Sequence, residues 1–182
     1  METYTRQLLP EDWKTFRDIR LLALQESAKA FGSSYTREIE FPKSRWKDTL
    51  SQKDGAIFGL FKGNRIIGLG SIKTSNIDNQ QAGLFMGYIT AEYRGKGFSK
   101  KLYISRIEWA LKRPSLKTIF TINKESNLAA QGMNKGFGFK LISRTPKNDW
   151  PDGSNDDELR FELDLEQARS NFKNSSLFNP HS

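Results

Sequence analysis

The sequence predicts one domain of the α/β (or α+β) class, and three observations carry that expectation. The chain has 182 residues, enough for one domain with its own core. β-rich runs alternate with runs of helical period along its length. No apolar stretch approaches the roughly 18 residues of a membrane span, and the first residues, METYTRQLLPEDW, lack the apolar core of a signal peptide. A cytoplasmic protein with no membrane partner is therefore expected. The chain has no cysteine, and its one histidine is His181. Disulfides, thiolate metal sites, a cysteine nucleophile, a histidine-based triad and a multi-histidine centre are all excluded, and no metal is expected.

Tyr4 to Leu9 reads as a first short strand. Pro10 suits the first turn of a helix, and Glu11 and Asp12 favour its positive end. Trp13, Phe16, Ile19, Ala23 and Leu24 recur at helical spacing to about Gln25. Residues 30–34, AFGSS, break that pattern, and Pro42 opens a second short helix carrying Trp46 and Leu50. Ala56 to Lys62 and Arg65 to Lys73 are strands joined by Gly63-Asn64, a two-residue hairpin signal. A polar loop and a strand from Ala82 to Thr90 follow, then a glycine-bearing turn and a helix to about Lys112. That helix shows two apolar faces, Tyr103, Ile104, Ile107, Ala110 and Leu111 on one and Phe98, Leu102 and Trp109 on the other, so it should be covered on both sides. Leu116 to Ile122 is a strand, and Ser126 can cap a helix running to about Asn134. Phe139 to Arg144 is a strand, Thr145 to Asn155 a loop, and Leu159 to Leu165 a last strand whose alternation suits a half-solvated edge. Residues 1–165 are thus read as the domain and 166–182 as a polar tail without a core of its own.

The net charge is +8, but it is not spread evenly. Residues 1–93 are net +2, residues 94–147 net +11, and residues 148–182 net −5. The basic segment begins at Arg94-Gly95-Lys96-Gly97-Phe98-Ser99, between a strand and a helix. Glycines let the backbone turn tightly and approach a ligand, and the N–H groups at the next helix's start attract a phosphate. The same two glycines could also serve only as a strand-to-helix connection. The turn lacks the GxxxxGK[ST] frame of a Walker loop and the third glycine of a dinucleotide fingerprint.

Ile89-Thr90-Ala91-Glu92-Tyr93-Arg94-Gly95-Lys96-Gly97-Phe98-Ser99 resembles the acetyl-CoA-binding motif of the GNAT superfamily of N-acetyltransferases, Val-x-Pro-x-x-Arg/Gln-x-x-Gly-x-Gly/Ala. Ala91 stands in place of the Pro, and Ser99 in place of the last Gly/Ala. Asn127-Leu128-Ala129-Ala130, then Asn134 and Gly138-Phe139, is similar to the family's N-x-x-A-x-x-x-Y-x-x-x-G-F, with Asn134 at the Tyr position. The resemblance implies a mixed, mostly antiparallel sheet of about six to seven strands flanked by about four helices, with CoA held in a splay between two central strands. It implies acetyl-CoA as co-substrate, backbone pairing of Ile89 and Thr90 with pantetheine, N–H groups from Arg94 to Ser99 on the pyrophosphate, and Asn127 beside the pantetheine arm. Lys96, Lys100 and Lys135 could meet the 3′-phosphate on electrostatic grounds. Members of the family often form dimers, so a homodimer is open.

A lysine-type amine, with a pKa near about 10.4, must lose a proton before it attacks a thioester. Without Cys or a well-placed His, direct attack in a ternary complex remains, as the resemblance also implies. Asn134 can offer a hydrogen bond to the sulfur but no proton. Tyr88, Glu38, Glu40 and a water chain are the candidates for the base; the alternatives are a packed aromatic for Tyr88 and a solvated helix face for the two glutamates. The acidic stretch Asp149 to Glu158 could attract a cationic amine to Trp150 and Asp152, or simply connect two strands through Asp152-Gly153. The preferred reading is an acetyl-CoA-dependent N-acetyltransferase acting on a primary amine; the alternative is a non-catalytic CoA-binding or nucleic-acid-binding module. A charge excess confined to one segment suits a small phosphorylated ligand better than a duplex.

Overall fold

A computed structural model describes residues 2–28, 31–147, 149–150 and 153–172. Seven strands form one sheet: β1 (Thr3–Gln7), β2 (Gly55–Lys62), β3 (Arg65–Thr74), β4 (Gln81–Ile89), β5 (Thr118–Lys124), β6 (Lys140–Thr145) and β7 (Glu158–Asp164). Their order across the sheet is β1-β2-β3-β4-β5-β7-β6. Six α-helices lie among the described residues: α1 (Trp13–Glu26), α2 (Tyr35–Glu38), α3 (Lys43–Leu50), α4 (Ser99–Leu111), α5 (Leu128–Gly136) and α6 (Leu165–Phe172). The expected mixed, mostly antiparallel sheet is what the chain forms. No helix among the described residues is long and apolar enough to cross a membrane.

Neighbouring residues of β2 point to opposite faces of the sheet. Ile57 and Phe61 join a cluster with Phe16, Ile19 and Leu24 of α1 and Trp46 of α3. Ala56 joins another, with Ile107 and Ala110 of α4 and Leu165 and Ala168 of α6. Thus α1 and α3 cover one face, α4 and α6 the other. Gly63 takes φ +56° in the β2–β3 hairpin, as its two-residue turn requires.

The one parallel pair in the sheet, β4 and β5, is the feature that positions the site. These strands pair only from Gln81 to Gly83 against Thr118 to Phe120, and then part. Where they part, β4 also bulges: Tyr88 lies opposite Leu69 and Phe85 opposite Ser71, leaving Met86 and Gly87 against Gly70 alone. Met86 adopts φ +54°, a conformation that few non-glycine residues take.

Two expectations are corrected. β7 is an interior strand between β5 and β6, and the edge is β6, whose six residues are all exposed. Alternation reports one solvated face, which an interior strand can have as readily as an edge. Residues 166–172 are not tail but the rest of α6, with Leu165 and Ala168 buried. After the expected break at 30–34 comes a short helix, α2, that the apolar spacing does not mark; the Ser34 side chain starts it by accepting from the Arg37 N–H.

Candidate active site

Between the parted strands lies a cavity of about 830 Å³. It runs from the glycine turn, through the gap between β4 and β5, to Phe31 and Ser33 beyond α1. Gly95 and Gly97 take φ +73° and +76°, and an added Cβ would meet nothing within 4 Å at either. Backbone conformation, rather than crowding, therefore demands glycine here, and the space above the turn is open to a ligand. At the start of α4 the Lys100 and Lys101 N–H groups donate to the Gly97 and Phe98 carbonyls, each at 3.1 Å, and the positive end of the helix lies at the turn. Ser99 and Phe98 line the cavity, and Asn127 lines it from the start of α5, where its side chain accepts from the Ala130 N–H at 3.1 Å. Lys96 folds back to donate to the Glu92 carbonyl at 2.9 Å and lies over the Tyr93 ring, beside Lys62 and Arg65. Lys100 and Lys135 are exposed and line no part of the cavity.

The Arg94 side chain is tied inward. Its Nε donates to the Ile89 carbonyl at 2.9 Å, and its Nη2 donates to Glu26 Oε2 and Ser27 Oγ, each at 3.1 Å. Thr90 is likewise spent, its N–H donating to the Ile67 carbonyl and its carbonyl accepting from Tyr93, both at 2.9 Å. Strand-like pairing with a ligand is therefore closed to Thr90, and at Ile89 only the N–H side remains. The Thr90 hydroxyl is buried without a hydrogen-bond partner.

Tyr88 donates its phenolic proton to Glu26 Oε2 at 2.7 Å. Burial and the Glu26 carboxylate both push its pKa well above the ordinary tyrosine value. It therefore keeps its proton and cannot serve as the base. Glu26, which no sequence motif singles out, gathers Tyr88, Arg94 and the Ala91 N–H at the end of α1. Glu38 is also engaged: Arg20 meets it through two hydrogen bonds of 2.8 and 2.9 Å, deep between α1 and α2. Burial pushes the Glu38 carboxyl up, but the Arg20 fork and a Ser33 hydrogen bond outweigh that and hold it below the ordinary carboxylate value. Arg20 lines the cavity, and its Nη1 has no partner. Glu40 is exposed and lines no part of the cavity.

Asn134 is fully buried and does not line the cavity. Its Oδ1 accepts from the Tyr103 hydroxyl at 2.9 Å, and its Nδ2 donates to Asn123 Oδ1 at 2.7 Å. The residues that face the cavity here are Tyr103 and Asn123, with Arg106 beside them. Arg106 is 3 % exposed. Its Nε donates to the Leu102 carbonyl at 3.0 Å and its Nη1 reaches the Phe85 carbonyl at 3.5 Å. Burial lowers its pKa.

Trp150 stands apart from the cavity. Its Nε1 donates to the Asp156 carbonyl at 2.7 Å, and Lys124 and Lys147 lie over its ring. The acidic stretch is engaged with the basic segment: Asp156 bonds Ser126, Asp157 pairs with Arg144, and Glu158 pairs with Lys147. Asp152 lies outside the described residues.

The model of the acetyltransferase (GNAT) family matches residues 13–139. No curated protein matches the sequence. Among solved structures, the chain is similar to an acetyltransferase of the GNAT family from Streptococcus pneumoniae (TM-score 0.76, 17% identity, covering 89% of this chain and 98% of that one). It is similar to yncA of Salmonella typhimurium, solved with its cofactor acetyl-CoA (TM-score 0.74, 16% identity, 90% and 94% covered). It is also similar to the spermidine N-acetyltransferase of Vibrio cholerae in complex with CoA and spermine (TM-score 0.73, 16% identity, 90% and 96% covered). At such identities the likeness shows a shared fold.

Proposed function

The chain belongs to the GNAT family of acetyltransferases, and from that premise we propose that it transfers an acetyl group from acetyl-CoA to a primary amine, by direct attack in a ternary complex. One observation carries the reading: a continuous cavity joins a glycine turn at a helix N-terminus to the gap between β4 and β5. The residues present fit acetyl-CoA. Gly95, Gly97 and the positive end of α4 suit a pyrophosphate. Phe85 and Ile122, apolar yet 46 % and 39 % exposed at the gap, suit the pantetheine arm. Acetyl-CoA supplies the activated acyl group. The protein binds and orients the two reactants.

The cavity wall holds Arg20, Arg94 and Arg106 and, among the described residues, no carboxylate. Arg20 and Arg94 are paired with glutamates behind the wall, and Arg106 is not, so the wall is net positive. A polycation is repelled by such a surface, and the acceptor we infer is an amine of low positive charge. Glu26, tied to the wall through Tyr88 and Arg94, is the carboxylate to which water can carry the amine's proton.

Calorimetric titration with acetyl-CoA and with CoA tests the first part; binding in the tens of micromolar or tighter is expected. Thiol release over amino acids, peptide N-termini, aminoglycosides and polyamines tests the second, with singly charged amines expected to outrun polyamines. Failure to bind either nucleotide would refute the reading.

A further inference from the structure

We propose that Arg106 is the counter-ion of the CoA thiolate, so that its guanidinium takes up the negative charge left on sulfur when the acetyl group departs. The inference rests on the acetyl-CoA reading above. In that reaction the amine nitrogen forms a bond to the carbonyl carbon and gives up one proton. The carbon–sulfur bond breaks and its electron pair leaves on sulfur, which is an anion until a proton reaches it.

The cavity offers that sulfur no free acid. Its wall holds no carboxyl, histidine or lysine among the described residues, and three phenols. Tyr88 spends its proton on Glu26 and Tyr103 spends its own on Asn134. Tyr93 sits at the glycine turn among Lys62, Arg65 and Lys96, at the phosphate end. Asn134, at the position where the family pattern has tyrosine, is occupied on both polar atoms by Tyr103 and Asn123. With protonation unavailable, charge compensation is the remaining way to ease the sulfur's departure.

Arg106 is built for that. It lines the cavity beside the β4 bulge, and a buried guanidinium normally has a carboxylate partner. This one has none among the described residues. Its neighbours are the Leu102 and Phe85 carbonyls, the face of Tyr103 at 4.7 Å, and the backbone of Gly70. Nη2 makes no hydrogen bond to a described residue. Gly70 clears the space, since a Cβ there would lie 3.2 Å from the guanidinium carbon. Arg106 also stands seven positions from Ser99, about 10 Å along α4 at 1.5 Å per residue, so it is removed from the pyrophosphate end and suits the far end of the pantetheine arm.

The test compares CoA with desulfo-CoA by calorimetry between about pH 7 and pH 9.5, using the native protein, Arg106→Met and Arg106→Lys. In the native protein the affinity of CoA relative to desulfo-CoA should rise about tenfold or more over that range, one pH unit in the sulfur's ionisation being a factor of ten. Arg106→Met should abolish the rise while keeping desulfo-CoA affinity within about threefold, and Arg106→Lys should retain part of it. A flat ratio in the native protein, or a rise that survives in Arg106→Met, overturns the proposal. So does an equal loss of both ligands in the Met variant, the mark of a residue that merely wedges the bulge. If the Met variant does not fold, the native and Lys proteins still decide. Failure of the native protein to bind either ligand overturns the acetyl-CoA reading itself.

Discussion

The cavity has two unlike walls. On the α1 side its charges are matched, Arg20 by Glu38 and Arg94 by Glu26. On the α4 and β5 side the polar groups are held by neutral partners: Arg106 by two carbonyls, and Tyr103, Asn134 and Asn123 by one another. A wall of matched charges is rigid and contributes little net field. A wall of neutral dipoles orients its groups yet leaves a positive charge available to a ligand. In the proposed reaction the difference divides the work: the matched wall fixes its own groups and offers Glu26 to the amine's proton, and the neutral wall faces the leaving sulfur.

Breaking the matched wall should have the largest effect on stability. Glu38→Gln keeps the shape but leaves Arg20 charged and buried without its partner, and should cost about 3 kcal/mol in denaturant unfolding. Arg106→Met removes a charge with no carboxylate partner among the described residues to orphan, and should stay within about 1 kcal/mol of the native protein. Equal costs for the two would erase the contrast. The pH dependence carries the same distinction. The Glu38 carboxyl is held below its ordinary value in the folded state, so its contribution is full above the unfolded value of about 4.3. It is lost as pH falls through the folded value. The native protein should therefore lose stability on acidification below about pH 4 more steeply than Glu38→Gln.

The neutral wall is sharpened by Asn134→Ala. Removing that amide leaves the half-buried Tyr103 hydroxyl and Asn123 carbonyl, both facing the cavity, without their partner, at a cost of about 1 kcal/mol. Its catalytic effect should be indirect, through the freed Tyr103 and Asn123, and should show in kcat for thiol release more than in the KM for acetyl-CoA. A change confined to KM would place Asn134 in direct contact with the ligand and contradict its burial.

The glycine turn was legible in the sequence because only glycine tolerates φ +73° and +76° cheaply, so two glycines before a helix stand out. The hairpin at Gly63-Asn64 was legible for the same local reason. The walls were not. Glu26 meets Tyr88 and Arg94 across 62 and 68 residues, and Asn134 meets Tyr103 across 31. No local pattern encodes such pairs. Arg106 is one basic residue among many in a basic segment, and only the fold separates it from the solvated ones. A Gly97→Ala substitution probes the legible part. The left-handed backbone should cost about 1 kcal/mol of stability, and the methyl group, entering open space above the turn, should weaken acetyl-CoA binding about tenfold by calorimetry.

The smallest effect is expected where charge is densest in the sequence. The acidic stretch invites a role in recruiting a cationic amine, yet Asp156 and Asp157 bond Ser126 and Arg144, away from the cavity. Exposed pairs of this kind are worth about 0–1 kcal/mol. Asp156→Asn together with Asp157→Asn should therefore leave the KM for amines within about twofold of the native value and lower stability by less than about 1 kcal/mol. A large rise in KM would return this loop to the site and add a third, acidic wall to the two described above. An unchanged KM leaves the acidic stretch with the task that its ion pairs already indicate, which is to hold Arg144 and Lys147 of the basic segment beside it.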